Sequence, residues 1–253
     1  MALEDLARES NENLLGAALS LWSFLQTRSR GKPKLRMFNP SVREHGFESP
    51  HTIIEIVNDD MPFLVDSVTG ELNRHGLTVH IVIHPILRLG RGAAGKLTDL
   101  VAKRTPDDRA AAESVMHIEV DQQTAPEVLR GILADLIKVL GDVRAAVNDW
   151  PRMRSRLAET LEHMDSMPPP LEPAEVEEAK AFLRWIAVNH FTFLGYREYA
   201  IASKGKSQIS VVPRTGLGIL RKSNIMVFVA LKSGAALPPE IADFVRKPTL
   251  LML

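Results

Sequence analysis

The sequence contains no cysteine, carries no net charge and has no apolar run long enough to cross a bilayer. Without cysteine there is no disulfide, no thiolate nucleophile and no cysteine-ligated metal, which fits a reducing cytoplasm. Lys+Arg and Asp+Glu number 31 each, so no overall field favours nucleic acid or an anionic membrane, and neither is expected as a partner. The longest apolar run near the start, LLGAALSLWSFL (14–25), is shorter than the ~20 residues of a membrane span and follows an acidic segment. A signal peptide would follow a basic one. A cytoplasmic location is expected. No repeat of solenoid period is present. What remains is an ordinary globular composition, 45% hydrophobic and 25% charged, in 253 residues, enough for one large domain or two of usual size.

Leu3, Leu6, Leu14, Leu15, Ala18, Leu21, Trp22 and Leu25 recur at helical spacing over 1–27. The basic stretch RSRGKPKLR (28–36) reads as a solvated loop, with an anion site as its alternative. HTIIEIV (51–57) is a β-branched strand; Asn58-Asp59-Asp60 then supplies a turn and helix cap. Leu64, Val65, Val68 and Leu72 follow at helical spacing as far as Gly76. In LTVHIVIHPILRL (77–89) every odd position is apolar, so one long strand is expected with that face buried. SVMHIEV (114–120) alternates again. Thr124–Glu127 opens a helix with the stripe Leu129, Ile132, Leu133, Leu136, Ile137 and Leu140, ending at Gly141. DVRAAV (142–147) fits either a short fourth strand or a helical continuation.

The expected fold class is therefore α+β, of the ferredoxin-like βαββαβ kind with helices on one face of an antiparallel sheet. A helix is expected to restart after Trp150-Pro151, followed by a proline-rich acidic linker at 167–180. A helix over 175–190, a hairpin from 191–201 and 207–213, and a strand at 225–231 complete the pattern. The chain stops at TLLML (249–253) in mid-pattern, so continuation past Leu253 is expected.

Gly90-Arg-Gly92-Ala-Ala-Gly95 spells G-x-G-x-x-G, a form that can cradle a dinucleotide pyrophosphate. That role requires a central parallel strand before the loop and a full helix after it. Pro85 is unsuited to a central strand, and the alternation over 77–89 suits an antiparallel sheet with one wet face. Only about two helical turns fit between Gly95 and Pro106. Glu119 or Asp121 could stand where a ribose-binding acid would, but a loop between antiparallel strands, with glycines for positive φ, is the better reading.

His80 and His84 sit ~13 Å apart along a strand, too far to share a metal, and no metal site is expected. His84 could meet His117 across the ladder as a half-exposed sheet histidine. Asp59, Asp60 and Asp66 read as helix-start charges, and the aromatics from Phe182 to Tyr196 as core. No catalytic constellation stands out.

TIIEIVNDDMPFLVDSVTGELNRHGLTVHIVIHPIL (52–87), FNP (38–40), VRAAVNDWPRM (143–153), FLRWIAVNHFTFLGYREY (182–199) and GLGILR (216–221) resemble the N-terminal region of large bacterial NAD-specific glutamate dehydrogenases. The resemblance implies ACT-type domains here, and a catalytic domain with its NAD site much further along such a chain. It implies a division into an N-terminal helix and basic loop (1–45), an ACT-like domain (46–150), a helical acidic linker (151–181) and the start of a second α+β, ACT-like region (182–253). The family reaction oxidises L-glutamate to 2-oxoglutarate and ammonium with NAD. No catalytic or NAD-binding residue carries over to this segment, which would regulate and assemble the enzyme through other domains and subunits. A stand-alone amino-acid sensor is the alternative, and a dinucleotide-binding enzyme in its own right rests on the glycine loop alone. In ACT domains an amino-acid effector binds between the first strand and helix, here Asn58, Asp59, Asp60, Met61, Phe63 and Leu64. The usual turn, roughly D-x-P-G-L-L, has Phe63 in place of its glycine. A ring buried there against Leu77 or Val79 would plug the pocket and turn the loop towards interface packing.

Overall fold

The computed structural model describes residues 10–101, 110–202 and 208–221. The chain divides into two compact units at Gly141/Asp142. The expected strand at 225–231 and Leu3 and Leu6 of the first helix lie outside the described residues.

In the first unit, α1 (Asn11–Leu25) is capped by Ser10, whose hydroxyl accepts from Asn13 N at 3.1 Å. Then come β1 (Lys34–Phe38), a single helical turn α2 (Val42–His45), β2 (Thr52–Asp59), α3 (Leu64–Arg74), β3 (Val79–Ile83), β4 (Ile86–Arg91), β5 (Leu97–Leu100) and β6 (Ala111–Val120). The sheet runs β1-β2-β6-β4-β5, with β3 also paired to β6, and all pairs are antiparallel. β2 and β3 are both antiparallel to the β6 that lies between them, so β2-α3-β3 is a split βαβ crossover.

Residues 142–147 are helix, which settles the alternative left open by sequence. The helix opened by Pro126 neither ends at Gly141 nor restarts at Pro151; α4 runs unbroken from Pro126 to Ser166, with Pro151 inside it. Among the described residues, no strand after β6 therefore pairs with the far side of β2. β1 occupies that edge instead, in register from Lys34↔Val57 to Phe38↔Ile53. The expected solvated basic loop at 28–36 is corrected accordingly: its last third, from Lys34, belongs to this strand, and Arg28 is buried. Asn39 fixes the join, accepting from Thr52 Oγ1 at 2.6 Å and donating to Gln123 O at 2.8 Å.

The long strand expected over 77–89 is broken at His84-Pro85, because proline cannot continue the ladder, and bulged between Val79 and Ile81. The bulge changes register. Val79 and Val82 lie opposite Val120 and Ile118, whereas Ile81 and Ile83 lie opposite Glu119 and His117. Odd-face burial therefore fails for Ile81, which shares a face with the charged residues of β6. His84 meets Ser114 Oγ at 2.7 Å, not His117.

One face of the sheet is apolar: Ile54, Ile56, Met116, Ile118 and Val120 are wholly buried. The buried stripes of α3 (Leu64, Val68, Leu72) and α4 (Ile132, Leu136, Leu140) supply matching apolar surface, each side chain worth about 1.5–3 kcal/mol. Ile137, expected in the α4 stripe, is exposed. On the opposite face, Phe24 and Leu25 of α1 pack on Val57, Leu89 and Val115.

The second unit continues α4 into α5 (Pro173–Trp185) and an irregular turn (Ile186–His190) with Asn189 at φ 68°. β7 (Gly195–Tyr196) pairs with β10 (Leu217–Gly218), and β8 (Tyr199–Ala202) with β9 (Gln208–Val211). The expected hairpin exists as β8–β9, but its first segment splits off to pair with β10.

Candidate functional site

The loop read from sequence as an ACT-type ligand or interface loop joins β2 to α3. Asn58 is fully buried within the strand, and Asp59 ends it. The aspartates do not cap α3: its N-cap is Phe63, and no side chain bonds the helix start. Asp60 N donates to Ala112 O at 3.1 Å, tying the loop to β6. Leu64 drops into the core at 2% exposure. Phe63 stands in the left-handed region at φ 69°, the conformation that a glycine at this turn position adopts without strain. The residue is 48% exposed. The expected burial against Leu77 or Val79 is thus corrected, because the left-handed backbone turns the side chain outward.

Asp59 is already held. Arg28 Nη2 donates to Asp59 Oδ1 at 2.7 Å, while its Nε donates to Glu113 Oε2 at 3.0 Å. Arg91 grips the same Glu113 through Nε and Nη2 at 2.6 and 2.8 Å. Glu113 is 1% exposed. Burial pushes its carboxyl up, but the Arg91 and Arg28 bonds outweigh it and hold the group below the ordinary carboxylate range. Burial likewise works against the Arg28 charge, and Glu113 and Asp59 overcome it. The basic segment does find anions, and they belong to the chain itself.

The glycine loop lies beside this clamp, in a cleft of about 440 Å³ lined by Arg28, Arg30, Arg91 and residues 92–95. It is the turn of the β4–β5 hairpin: the strand before it pairs only antiparallel, and a strand, not a helix, follows it directly. Gly95 is required there: its φ is 73°, Arg28 N donates to its carbonyl at 2.9 Å, and a Cβ would lie 2.2 Å from Arg28 O. Gly95 thus serves close backbone approach in a hairpin.

Further along the same face, Arg36 Nε donates to the fully buried Glu55 at 2.6 Å. His117 lies between Glu55 and Glu119 at 3.5 and 3.7 Å, and His51 Nδ1 is 2.8 Å from Glu119. Burial would lower the His117 pKa, but Glu119 and Glu55 raise it above the usual histidine value. The His117 bond, opposed by burial and reinforced by His51, holds Glu119 at about 2. Sequence reasoning took His117 for part of a half-exposed sheet surface and missed that α1 and the buried Arg28 lie on that face. The sequence showed the two halves, cations in 28–36 and Glu55, Asp59, Glu113 and Glu119 at alternate positions of β2 and β6, but not their pairing.

In the second unit three of the quoted motifs meet. Asp149 Oδ2 accepts from Gly218 N at 2.8 Å and from Arg221 Nε at 3.0 Å. Gly218 lies against Leu194 O, where a Cβ would come within 2.1 Å. Trp150 packs on Phe193, their ring centroids 5.3 Å apart. These residues build a scaffold joint with no reactive pair.

Residues 1–136 match the family described as glutamate dehydrogenase, ACT1 domain. The chain belongs to that family. It is 41% identical over 221 residues to the NAD-specific glutamate dehydrogenase of Halomonas elongata, covering 87% of this chain and 14% of that protein. The enzyme of that name from Pseudomonas aeruginosa is 34% identical over 204 residues, 81% of this chain and 13% of the relative. That from Mycobacterium tuberculosis is 24% identical over 169 residues, 66% and 10%. The ACT1-family chain thus spans about one seventh of the length of the first two relatives. Among its described residues, no helix is long and apolar enough to cross a membrane.

Proposed function

We propose that this chain is the N-terminal regulatory and assembly segment of a cytoplasmic NAD-dependent glutamate dehydrogenase, and that it contributes no catalytic or NAD-binding residue. The observation that carries this reading is the ACT1-family match over 1–136, in a chain aligned with only 14% of a relative named for the activity. NAD and glutamate would bind in the remaining portion of such an enzyme. In this reading β2-α3-β3/β4-β6-α4 is the ACT-type unit, and β1 fills the position of its fourth strand. The segment from 182 opens a second such region, and other domains and subunits of the enzyme are its partners.

Within the unit, the loop Asn58–Leu64 serves as a contact surface and not as an amino-acid pocket. Two features support this. Asp59, a carboxylate that could receive a ligand ammonium, is engaged by Arg28. Pro62 and Phe63 expose apolar surface where a ligand loop would present backbone donors. A segment swap tests the proposal: the matching 221 residues of the Halomonas enzyme are deleted, or replaced by this chain. The replaced enzyme should form NADH from glutamate and keep its native mass, while the deletion should lose assembly. A deletion that leaves mass, rate and amino-acid response unchanged would overturn the assembly and regulatory role. Saturable NAD binding by the 253-residue chain alone would overturn the non-catalytic assignment.

A further inference from the structure

At the end of α3, away from the loop and the charged face, three side chains converge from two helices. Glu71 lies in the last turn of α3 and His75, four residues on, is its C-cap, while Asp135 of α4 reaches them from the side. His75 Nε2 is 3.0 Å from Asp135 Oδ2 and 3.4 Å from Glu71 Oε1, and one donor atom from each of the three lies within 4.8 Å of the others. A cation already occupies the carboxylates. Arg74 donates to both oxygens of Glu71 and, at 2.9 Å, to Asp135. The Arg74 side chain is 61% exposed against 10% for Glu71, so the cation is held by the two acids and not by packing.

We propose that Glu71, His75 and Asp135 form a site for a divalent transition-metal ion of the zinc class, clasping α3 to α4, with Arg74 as the resident cation when the metal is absent. One imidazole nitrogen and two carboxylate oxygens are a donor set for a borderline metal, whereas magnesium and calcium take oxygen ligands. Bonds of about 2.0–2.2 Å to a tetrahedral ion separate neighbouring ligands by about 3.4 Å, and the two histidine-to-carboxylate separations are already close to that. Neutral His75 binds through Nε2 and carries its proton on Nδ1, Arg74 swings into water, and a water molecule completes the coordination.

The test uses the 253-residue chain and zinc chloride in a calorimeter, with cobalt(II) as an optical reporter. The wild type should take up one equivalent at micromolar affinity, melt several degrees higher with zinc, and give the visible absorption of tetrahedral cobalt(II). His75→Ala and Glu71→Gln should each weaken binding at least tenfold. Arg74→Ala removes the competing cation and should tighten it severalfold, a result that keeps the proposal falsifiable if the other variants fold poorly. No saturable uptake by the wild type would overturn the site, as would uptake unmoved by all three substitutions.

Discussion

The two faces of the sheet in the first unit are drawn from alternate residues of the same strands, yet they are held by different forces. On one, Ile54, Ile56, Met116 and Ile118 are wholly buried, and cohesion is spread over many small contacts. On the other, Glu55, Asp59 and Glu113 pair with Arg36, Arg28 and Arg91 beneath α1, and His117 lies between Glu55 and Glu119. A buried ion pair contributes little net stability over a well-packed apolar pair, but breaking one side of it is costly. The apolar face should thus lose stability in proportion to what is removed and fail outright only when a charge is inserted. The charged face should fail whenever one partner is lost.

The sharpest break is Ile56→Asp, which puts an unpaired carboxylate on the apolar face. It should cost more than about 5 kcal/mol, leaving a domain of ordinary stability unfolded. Ile81→Asp makes the contrast: the bulge sets Ile81 beside Glu119 on the other face, partly exposed, so this variant should fold. Circular dichroism and gel filtration of the two proteins would check it, and equal unfolding would mean the register after the bulge is wrong.

Next in size is Glu113→Ala, which leaves Arg28 and Arg91 facing each other without their shared anion. The expected loss is about 3–5 kcal/mol by urea denaturation. A loss below about 1 kcal/mol would erase the distinction between the faces.

The apolar face was the legible one. Alternation in 114–120, and helical spacing at Leu64, Val68 and Leu72, each mark their buried positions without further information. The charged face was not, because polar residues at alternate positions look the same whether water or a counter-charge meets them. The partner of Glu113 stands 85 positions away at Arg28, a pairing no local pattern encodes. Helix α4 escaped for a different reason: Gly141 and Pro151 are ordinary stop signals, and here the chain continues through both. Of the candidate loop, Leu64 was placed correctly from its spacing, whereas the direction of the Phe63 ring depends on a backbone angle that residue type does not reveal.

The charged face should also give stability a pH window. His117 has a raised pKa, so its contribution is complete below about 6.5 and declines as pH rises through the folded value. Glu119 sits at about 2 against 4.5, so its contribution is complete above about 4.5 and fades as pH falls. Together they favour pH 4.5–6.5, and the Glu119 part amounts to on the order of 2 kcal/mol lost by pH 2. Denaturation midpoints followed from pH 4.5 to 8.5 should decline above about 6.5 in the wild type, and the decline should shrink in His117→Asn. Identical slopes would show that this face does not govern the profile.

The smallest effect bears on a residue that belongs to neither face. A non-glycine residue in the left-handed region costs about 1–2 kcal/mol, and Phe63 is also nearly half exposed. On the proposed contact role of the loop, a surface that covers the ring would offset that strain. Phe63→Gly relieves the strain but adds freedom to the unfolded chain, and should raise the stability of the isolated chain by about 0.5–1 kcal/mol. The same substitution should weaken association wherever the loop is an interface, seen as a lower mass by light scattering in the Halomonas segment swap. A residue that improves the monomer when removed and harms the assembly is acting between surfaces. If Phe63→Gly instead destabilises the isolated chain, the ring is working within the monomer and the contact role of the loop fails.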